Sequence, residues 1–119
     1  MDSDQPAGKH PTAQEPMAGF KKDDDKLRFD LLSGPALQEM TKVATFGAKK
    51  YPARNWEKGI AYGRVFAALM RHAWAWWMGE KNDPETGLNH MAHAMWCCMA
   101  LCHYDILYPA THYDDRPQL

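Results

Sequence analysis

The sequence predicts an all-α domain, a bundle of three main helices. Apolar residues recur at intervals of three and four over about 35–49, 63–78 and 87–107, which is the spacing of one face of an α-helix. Glycine and proline residues interrupt the chain between these stretches. There is no clear strand pattern, so three helices joined by short links indicate a helical bundle.

The first helix is predicted to begin at Ser33-Gly34-Pro35 and to end before Tyr51-Pro52. Proline is well tolerated in the first turn of a helix, where its missing N–H has no intrahelical partner to lose. Proline also disfavours helical geometry in the residue before it, which makes Tyr51 a stop. This helix therefore covers about 35–49.

The second and third helices, at about 63–78 and 87–107, flank a polar turn. Gly79 has the position of a glycine that ends a helix in the left-handed conformation. In the third helix, residues 91–102 are nearly all apolar except His93. We therefore expect this helix to be buried on most sides.

The length of the chain fits one domain, and its ends differ from its middle. Residues 1–25 are rich in Pro, Asp, Lys and small residues without an apolar period, so we predict a disordered N-terminal segment there. Residues 26–110 are predicted to form the single helical domain, and residues 111–119 a C-terminal tail. The pattern at 26–32 is too short to distinguish an extended arm from a helical lead-in.

Charge and hydropathy restrict the classes of partner. The formal net charge is −1, which argues against bulk nucleic-acid binding and against binding to an anionic membrane surface. Basic residues are concentrated at 42–71 and acidic residues at 72–119, which suits an anion that brings a metal ion and is equally explained by solvated surface charge. No apolar run reaches the roughly 18 residues of a membrane span, so we expect no membrane association.

The cysteines and the large apolar residues bear on location and assembly. Cys97, Cys98 and Cys102 lie in one apolar helical run without CxxC spacing or a plausible disulfide framework. We therefore predict buried free thiols in a reducing cytoplasm. Five tryptophans and eight methionines are a large apolar surplus for three helices, so we also predict a homo-oligomer.

The turn between the second and third helices concentrates candidate ligands. No other window as long as residues 71–93 brings together so many carboxylates and imidazoles. When the two helices fold back on each other, His72 is expected within one turn of His93. The candidate ligands are His72, Glu80, Asp83, Glu85, His90 and His93.

His90 and His93 lie three residues apart, so they project from one face at the start of the third helix. The helix dipole there disfavours imidazolium and keeps both rings neutral. Neutral imidazoles suit metal ligation, and they equally suit hydrogen bonds within a helical interface. The spacing leaves both interpretations open.

Carboxylates offer a second type of site. Glu80 and Asp83 form an ExxD pair of the kind that holds Mg²⁺. Turn carboxylates are also commonly solvated, and Asp83 before Pro84 is suited to capping the turn. Glu39 is the only acid of the first helix, where it either serves such a site or pairs with Lys42.

Five separated segments, taken in order, resemble a known family. They are KLRFDLL at 26–32, EM at 39–40, FGAKKY with ARNWEKG within 46–59, RHAWAWWMGE with the following D and ETG within 71–87, and HxxHA at 90–94. Here the chain is similar to small helical proteins common in phage genomes, the dATP/dGTP diphosphohydrolase-like family. The resemblance implies that a purine (deoxy)nucleoside triphosphate is bound with Mg²⁺ or Mn²⁺ and cleaved to (d)NMP and pyrophosphate in the host cytoplasm.

This resemblance, with the residues above, leads us to expect three groups of site residues. The catalytic group is Glu39, Glu80, Asp83 and His72. The metal ligands are Glu39, Glu80, Asp83 and Glu85. Cations are expected at the phosphates, although the stem of Arg71 also suits an apolar helix surface. The substrate contacts are Lys49, Lys50, Arg54, Asn55, Trp56, Arg71, His90 and His93, with Asn55 and Trp56 at the base or sugar.

Two other functions stay open. Helical nucleotide pyrophosphohydrolases carry ExxE on one helix and ExxD on another, whereas Lys42 stands where the second Glu would follow Glu39. This difference favours a non-catalytic protein that binds and sequesters a nucleotide. The remaining possibility is a phosphohydrolase that binds a transition metal through His72, His90 and His93, together with Asp83.

Overall fold

The computed structural model describes residues 19–108 and 112–118, and it confirms the predicted all-α fold of three main helices. Within these residues the only β-type pairing is one isolated antiparallel bridge between Asn82 and Asn89. Two short 3₁₀ helices lie before and after the first α-helix. The helices are α1 at Gly34–Lys50, α2 at Tyr62–Trp77 and α3 at His90–Leu107, with the 3₁₀ helices at Phe29–Leu31 and Asn55–Lys58.

All three predicted segments lie partly outside the described residues, the helical domain at 26–110 only by residues 109 and 110. The segment predicted to be disordered, residues 1–25, is described only from Gly19 onward. The tail predicted at 111–119 is described over 112–118. Within the described part of the chain, no helix is both long enough and apolar enough to cross a membrane.

The ends of α1 agree with the sequence signals to within one residue. The Ser33 hydroxyl accepts a hydrogen bond from the Ala36 backbone N at 3.1 Å, which satisfies one of the free N–H groups of the first turn. Pro35 occupies that turn. At the other end Tyr51 is extended, as expected of a residue in front of Pro52.

The third helix begins at His90, three residues later than predicted. Gly87 has a φ of +73°, a left-handed conformation that does not belong in a right-handed helix. Asn89 caps the helix instead, because its side-chain oxygen accepts hydrogen bonds from the backbone N of Met91 at 2.7 Å and of Ala92 at 3.2 Å. The turn is therefore three residues longer at this end than predicted.

The second helix ends at Trp77, one residue earlier than predicted. Gly79 follows with a φ of +105°, and its N–H donates to the Trp76 carbonyl at 3.0 Å. A glycine in this conformation directs the chain out of the helix, as its position predicted.

The start of α2 is capped by the tail. Ala61, the residue before the helix, supplies no side-chain cap. The Gly63 N–H instead donates to Asp115 Oδ1 at 2.7 Å, and the Tyr62 N–H donates to the Tyr113 carbonyl at 2.9 Å. The Asp115 carboxylate is thus placed at the positive end of the helix dipole.

α3 is the central helix of the fold, because it packs against both α1 and α2. The rings of Tyr62 and Tyr104 stack between α2 and α3 with their centroids 5.5 Å apart. Tyr104 is fully buried, and its hydroxyl donates to the Trp56 carbonyl at 2.5 Å, which ties the loop before α2 to α3. The buried core residues are Tyr62, Val65, Cys97, Ala100 and Tyr104.

The three cysteines differ in exposure. Cys97 is buried, and burial raises the pKa of its thiol to about 11. Cys98 and Cys102 are exposed, so the prediction of three buried thiols is wrong for these two. They lie one turn apart on an exposed face of α3. All other residues of 91–102 are buried or partly buried, which confirms the expected burial of this helix.

Candidate metal centre

Side chains from α2, from the turn and from α3 converge on one point. His72 lies on α2, Asp83 in the turn and His93 on α3. One ligand atom of each lies within 4.8 Å of those of the other two. Over residues 19–108 and 112–118, no other group of three or more His, Cys, Asp or Glu side chains meets so closely. We call these three residues the His/Asp cluster.

Backbone hydrogen bonds hold the Asp83 carboxylate in place. The Asp83 N–H donates to the Leu88 carbonyl at 2.8 Å, and the Gly87 N–H donates to the Asp83 carbonyl at 2.7 Å, which closes the turn. The Glu85 N–H donates to Asp83 Oδ1 at 3.2 Å. The other oxygen, Oδ2, lies 3.5 Å from His93 Nε2. The turn therefore uses one carboxylate oxygen and presents the second to the cluster.

Thr86 lies between two members of the cluster. Its Oγ1 is 2.7 Å from His93 Nε2 and 3.3 Å from Asp83 Oδ2. It also accepts a hydrogen bond from the Leu88 N–H at 3.2 Å. A hydroxyl has one proton, so Thr86 donates to only one of the two groups at a time. The sequence-based predictions omitted this residue, although its place beside Gly87 in a ligand-rich turn was a signal.

The two histidines of the cluster are held in the neutral form. Burial, followed by the neighbouring imidazole of His93, lowers the pKa of His72 below its usual 6.5. Burial also lowers the pKa of His93, while the Asp83 carboxylate acts in the opposite direction. A neutral imidazole has a nitrogen lone pair available for a metal ion.

A chain of hydrogen bonds runs from His72 to the surface. His72 Nδ1 lies 2.9 Å from His90 Nδ1, and His90 Nε2 lies 2.7 Å from Glu80 Oε1. A carboxylate only accepts, so His90 Nε2 carries a proton, and when His90 carries no second proton its Nδ1 accepts from the Nδ1–H of His72. His72 Nε2 then keeps its lone pair. The His90 side chain is only 5% exposed, so protein groups rather than water are the partners of both its ring nitrogens.

The donor set fits a transition-metal ion better than magnesium. Two imidazoles and one carboxylate suit the divalent ions from manganese to zinc, whereas magnesium prefers oxygen ligands. Ligand atoms bound at about 2.0–2.1 Å lie roughly 3–4 Å apart around one ion. The three ligand atoms are already within 4.8 Å of one another. Because the rings of His72 and His93 stack with planes 5° apart, binding an ion would also require a rotation of these rings, which directs both lone pairs to one point. Three protein ligands also leave a position for water or substrate.

The other acids predicted as ligands lie outside this cluster. Glu39 pairs with Lys42 at 2.7 Å on α1. Glu85 is 72% exposed, and its carboxylate lies 3.8 Å from the Lys50 ammonium. Glu80 reaches the cluster only through His90. The structure therefore brings together one of the four predicted carboxylates with two of the predicted histidines.

The predicted phosphate-binding cations are spread over three elements. Arg54 forms an ion pair with Glu57 in the loop before α2. Arg71 is exposed on α2 beside the cluster, and its charge contributes to the lowered pKa of His72. Lys49 and Lys50 lie in the last turn of α1. The structure thus places the lysines and Arg71 near the turn and occupies Arg54 with a local partner.

The predicted base contacts, Asn55 and Trp56, lie in the second 3₁₀ helix. The ring of Trp56 packs against α3, with its centroid 4.8 Å from that of His103 and 5.9 Å from that of Trp96. Core packing accounts for this tryptophan, and its contact with a base or sugar stays a prediction.

A cavity of about 430 Å³, which we call the α1 groove, lies beside the cluster. One wall is the surface of α1, and the opposite wall is formed by Thr86 and Leu88. Thr86 therefore belongs to the groove and also contacts the cluster. The residues on the α1 wall are Gln38, Thr41, Lys42, Thr45, Phe46 and Lys49.

Comparison with known proteins identifies the family. A protein named dATP/dGTP diphosphohydrolase from Salmonella phage PMBT28 is 35% identical over 78 residues, which cover 66% of this chain and only 27% of the phage protein. No solved structure matches the chain. Residues 16–116, which include the whole His/Asp cluster, match the family described as dATP/dGTP diphosphohydrolase, N-terminal. Because this match covers most of its length, the chain belongs to that family.

Proposed function

We propose that the chain hydrolyses a purine deoxynucleoside triphosphate, dATP or dGTP, to the monophosphate and pyrophosphate with a divalent transition-metal ion. The observation that carries the proposal is the convergence of His72, Asp83 and His93 on one point. The names of the family and of the phage relative supply the substrate class. The cluster favours the transition-metal possibility over a magnesium site made of carboxylates.

The reaction adds water to the α-phosphorus and breaks the bond from that phosphorus to the oxygen bridging it to the β-phosphate. Pyrophosphate leaves with the bonding electron pair, and the proton of the water is released to solvent. A metal ion, when bound, would supply positive charge to the phosphate oxygens and make a water molecule more acidic.

The residues of the chain hold and orient this site. His72 and His93 offer neutral nitrogen, and Asp83 offers one negative oxygen, so the cluster suits a dication without cancelling all of its charge. The hydrogen bond that His72 Nδ1–H donates to His90 Nδ1 fixes the ring of His72, as outer partners do for metal-binding histidines. If His93 Nε2 turns to a metal ion, the Thr86 hydroxyl, now 2.7 Å from it, becomes free for water or a phosphate oxygen.

The test is hydrolysis by the purified chain. Incubation with dATP or dGTP and Mn²⁺, Co²⁺ or Mg²⁺, with chromatography of the products, is expected to give the monophosphate and pyrophosphate. Asp83→Asn should lower the rate on the order of 10²-fold or more, because it removes the only carboxylate of the cluster. Glu85→Gln is the matched control in the same turn, since Glu85 is 72% exposed, and it should leave the rate nearly unchanged.

The same experiment separates the enzyme from a nucleotide-binding protein. If the wild-type chain binds a nucleotide tightly in calorimetry but returns it intact after hours with every metal, the proposed hydrolysis is wrong and sequestration is supported. That second function is kept because Lys42, at the position of a second helix-1 carboxylate, pairs with Glu39.

A further inference from the structure

The α1 groove has the charge of a site for a polyanion. None of the residues that line it is acidic, and two of them, Lys42 and Lys49, are cationic. These lysines are seven residues apart on the helix, so they lie about 10 Å apart along its axis, on the same side. The cavity volume of about 430 Å³ is within the usual range for a small-molecule site.

The charges of both lysines are available to a ligand. Within the described part of the chain, the side-chain ammonium of Lys49 makes no hydrogen bond or ion pair. Lys42 pairs with Glu39, but both side chains are substantially exposed, at 53% and 39%. An exposed pair of this kind contributes little stability, so Lys42 can exchange its partner at low cost.

The lysines are the main hydrogen-bond donors that the α1 wall offers. The hydroxyl of Thr41 donates to the Leu37 carbonyl at 2.8 Å, and that of Thr45 donates to the Thr41 carbonyl at 2.8 Å. Each hydroxyl has then used its only proton. An anion in the groove would therefore be recognised chiefly by ammonium groups.

The groove opens towards the reacting end of the proposed site. Thr86 forms part of its wall and lies 2.7 Å from His93 Nε2. The Lys50 ammonium lies 3.8 Å from the Glu85 carboxylate. The C-terminal end of α1 is therefore close to the segment between α2 and α3 that carries Asp83 and Thr86. Lys49, the neighbour of Lys50, therefore marks the end of the groove nearest the cluster.

A second cavity, of about 450 Å³, does not share these features. It lies at the start of α2 and contains two carboxylates, Asp105 and Asp115. Its single cation, Arg116, is already paired with Asp114 at 2.6 Å. No residue of the His/Asp cluster lines it, so it does not compete as a site for phosphates.

From these contacts we propose that the α1 groove binds the polyphosphate chain of the nucleotide, with Lys49 next to the metal centre and Lys42 farther along α1. This inference rests on the proposed function, because the cluster at one end of the groove is where the phosphates would react. It adds Lys42 to the phosphate contacts and assigns Lys42 and Lys49 to one binding surface.

The test uses the full chain and inorganic tripolyphosphate in buffer with a chelator, so that no metal contributes to binding. We expect Lys42→Gln and Lys49→Gln each to raise the Kd measured by calorimetry about 10-fold, because each removes a charge-assisted contact. Lys58→Gln is the matched control, since Lys58 lies in the second 3₁₀ helix and does not line the groove. The lysines of the groove are exposed, so thermal unfolding should be unchanged.

Steady-state hydrolysis of dGTP provides the second measurement. The double variant Lys42→Gln with Lys49→Gln should raise KM by at least about 10-fold and change kcat by less than about 3-fold. Contacts that are equally strong in the ground state and the transition state affect KM and leave kcat unchanged. If the double variant leaves Kd and KM unchanged, or if the wild type does not bind tripolyphosphate, the α1 groove is not the polyphosphate site. If the wild type binds tripolyphosphate through these lysines yet hydrolyses no nucleotide with any metal, polyphosphate binding by the α1 groove is supported and the proposed hydrolysis is wrong.

Discussion

His72 on α2 and His93 on α3 stack with ring planes 5° apart and ring centroids 4.3 Å apart. Two imidazoles at this distance repel each other when both are protonated, so the contact requires that at least one is neutral. A dication shared by these rings and Asp83 would link α2, the turn and α3. The stack therefore relates the stability of the fold to metal binding.

A transition-metal ion should stabilise the folded chain. A ligand that binds only the native state raises the free energy of unfolding, by about 2.7 kcal/mol at 100 times its Kd. We expect Co²⁺ or Mn²⁺ to raise the midpoint of thermal unfolding, and Asp83→Asn to remove the effect. Glu85→Gln should keep it. An equal metal-induced shift in wild type and Asp83→Asn would show that the cluster is not the binding site.

Glu80 should tune metal affinity through His90 without being a ligand. Its carboxylate accepts from His90 Nε2 at 2.7 Å, which leaves His90 Nδ1 to accept from His72. Glu80→Ala removes the acceptor and should weaken metal binding about 10-fold or more. Glu80→Gln retains an acceptor oxygen and should lose less. The Co²⁺ absorption spectrum and calorimetric Kd measure both variants, and equal losses would contradict a role through the tautomer.

Glu39→Gln should retain most of the hydrolytic rate, in contrast to its expected catalytic role. The Glu39 carboxylate pairs with Lys42 at 2.7 Å and lies outside the His/Asp cluster. Removing its charge releases Lys42 towards the groove, so KM should stay equal or fall. A loss of kcat on the order of 10²-fold, with nucleotide binding intact, would contradict this expectation and assign Glu39 the role of general base. Pyrophosphate release and nucleotide binding are measured on one preparation.

The metal-free protein should lose stability as the pH falls below about 6.5. Burial lowers the pKa of His72 and His93 from 6.5 in the native state. Between the lowered native pKa and 6.5, the unfolded chain binds more protons than the native chain, so the free energy of unfolding rises with pH. This contribution is complete above pH 6.5 and decreases on acidification. Urea unfolding at pH 7.5 and at pH 5.5 measures it.

The control for the pH dependence is a variant that lacks the titrating rings. His72→Gln with His93→Gln should flatten the change in urea midpoint over this range. If the double variant keeps the full pH dependence of the wild type, other groups are responsible and the assignment to the stacked pair is wrong.

The exposed surface of α2 provides a test of the predicted homo-oligomer. Four large apolar side chains spaced by four, four and three residues form a stripe on one face, and each is at least 46% exposed. We expect a second copy to cover them, so light scattering should give a multiple of 13.6 kDa at micromolar concentration. Trp74→Glu should give the monomer, and Tyr51→Glu, exposed but off the stripe, should not. The stripe is Phe66, Met70, Trp74 and Trp77.

Wild type that scatters as a monomer at micromolar concentration would contradict self-association. A second copy of the chain would then not be what covers the apolar stripe, and Trp74→Glu should leave the measured mass unchanged.

The positions of the helices follow from local sequence signals, because the residues that start and stop a helix act on their neighbours in the chain. Ser33 caps α1 through the N–H of a residue three positions later, and Gly79 ends α2 through its own φ. The start of α3 was placed too early because Gly87 and Asn89 are both plausible boundaries. Only the left-handed φ of Gly87 excludes that residue from the helix.

Local sequence also locates the ligand-rich turn, whereas the packing of the helices selects which of its ligands meet. Residues on different helices approach according to the rotation and register of those helices in the packed core, and sequence spacing along one helix does not contain that information. The packing of α2 against α3 brings His72 to His93 and directs His90 towards Glu80. The pairing of Glu39 with Lys42 was one of the two alternatives that the sequence left open, and the side-chain conformations on α1 select it.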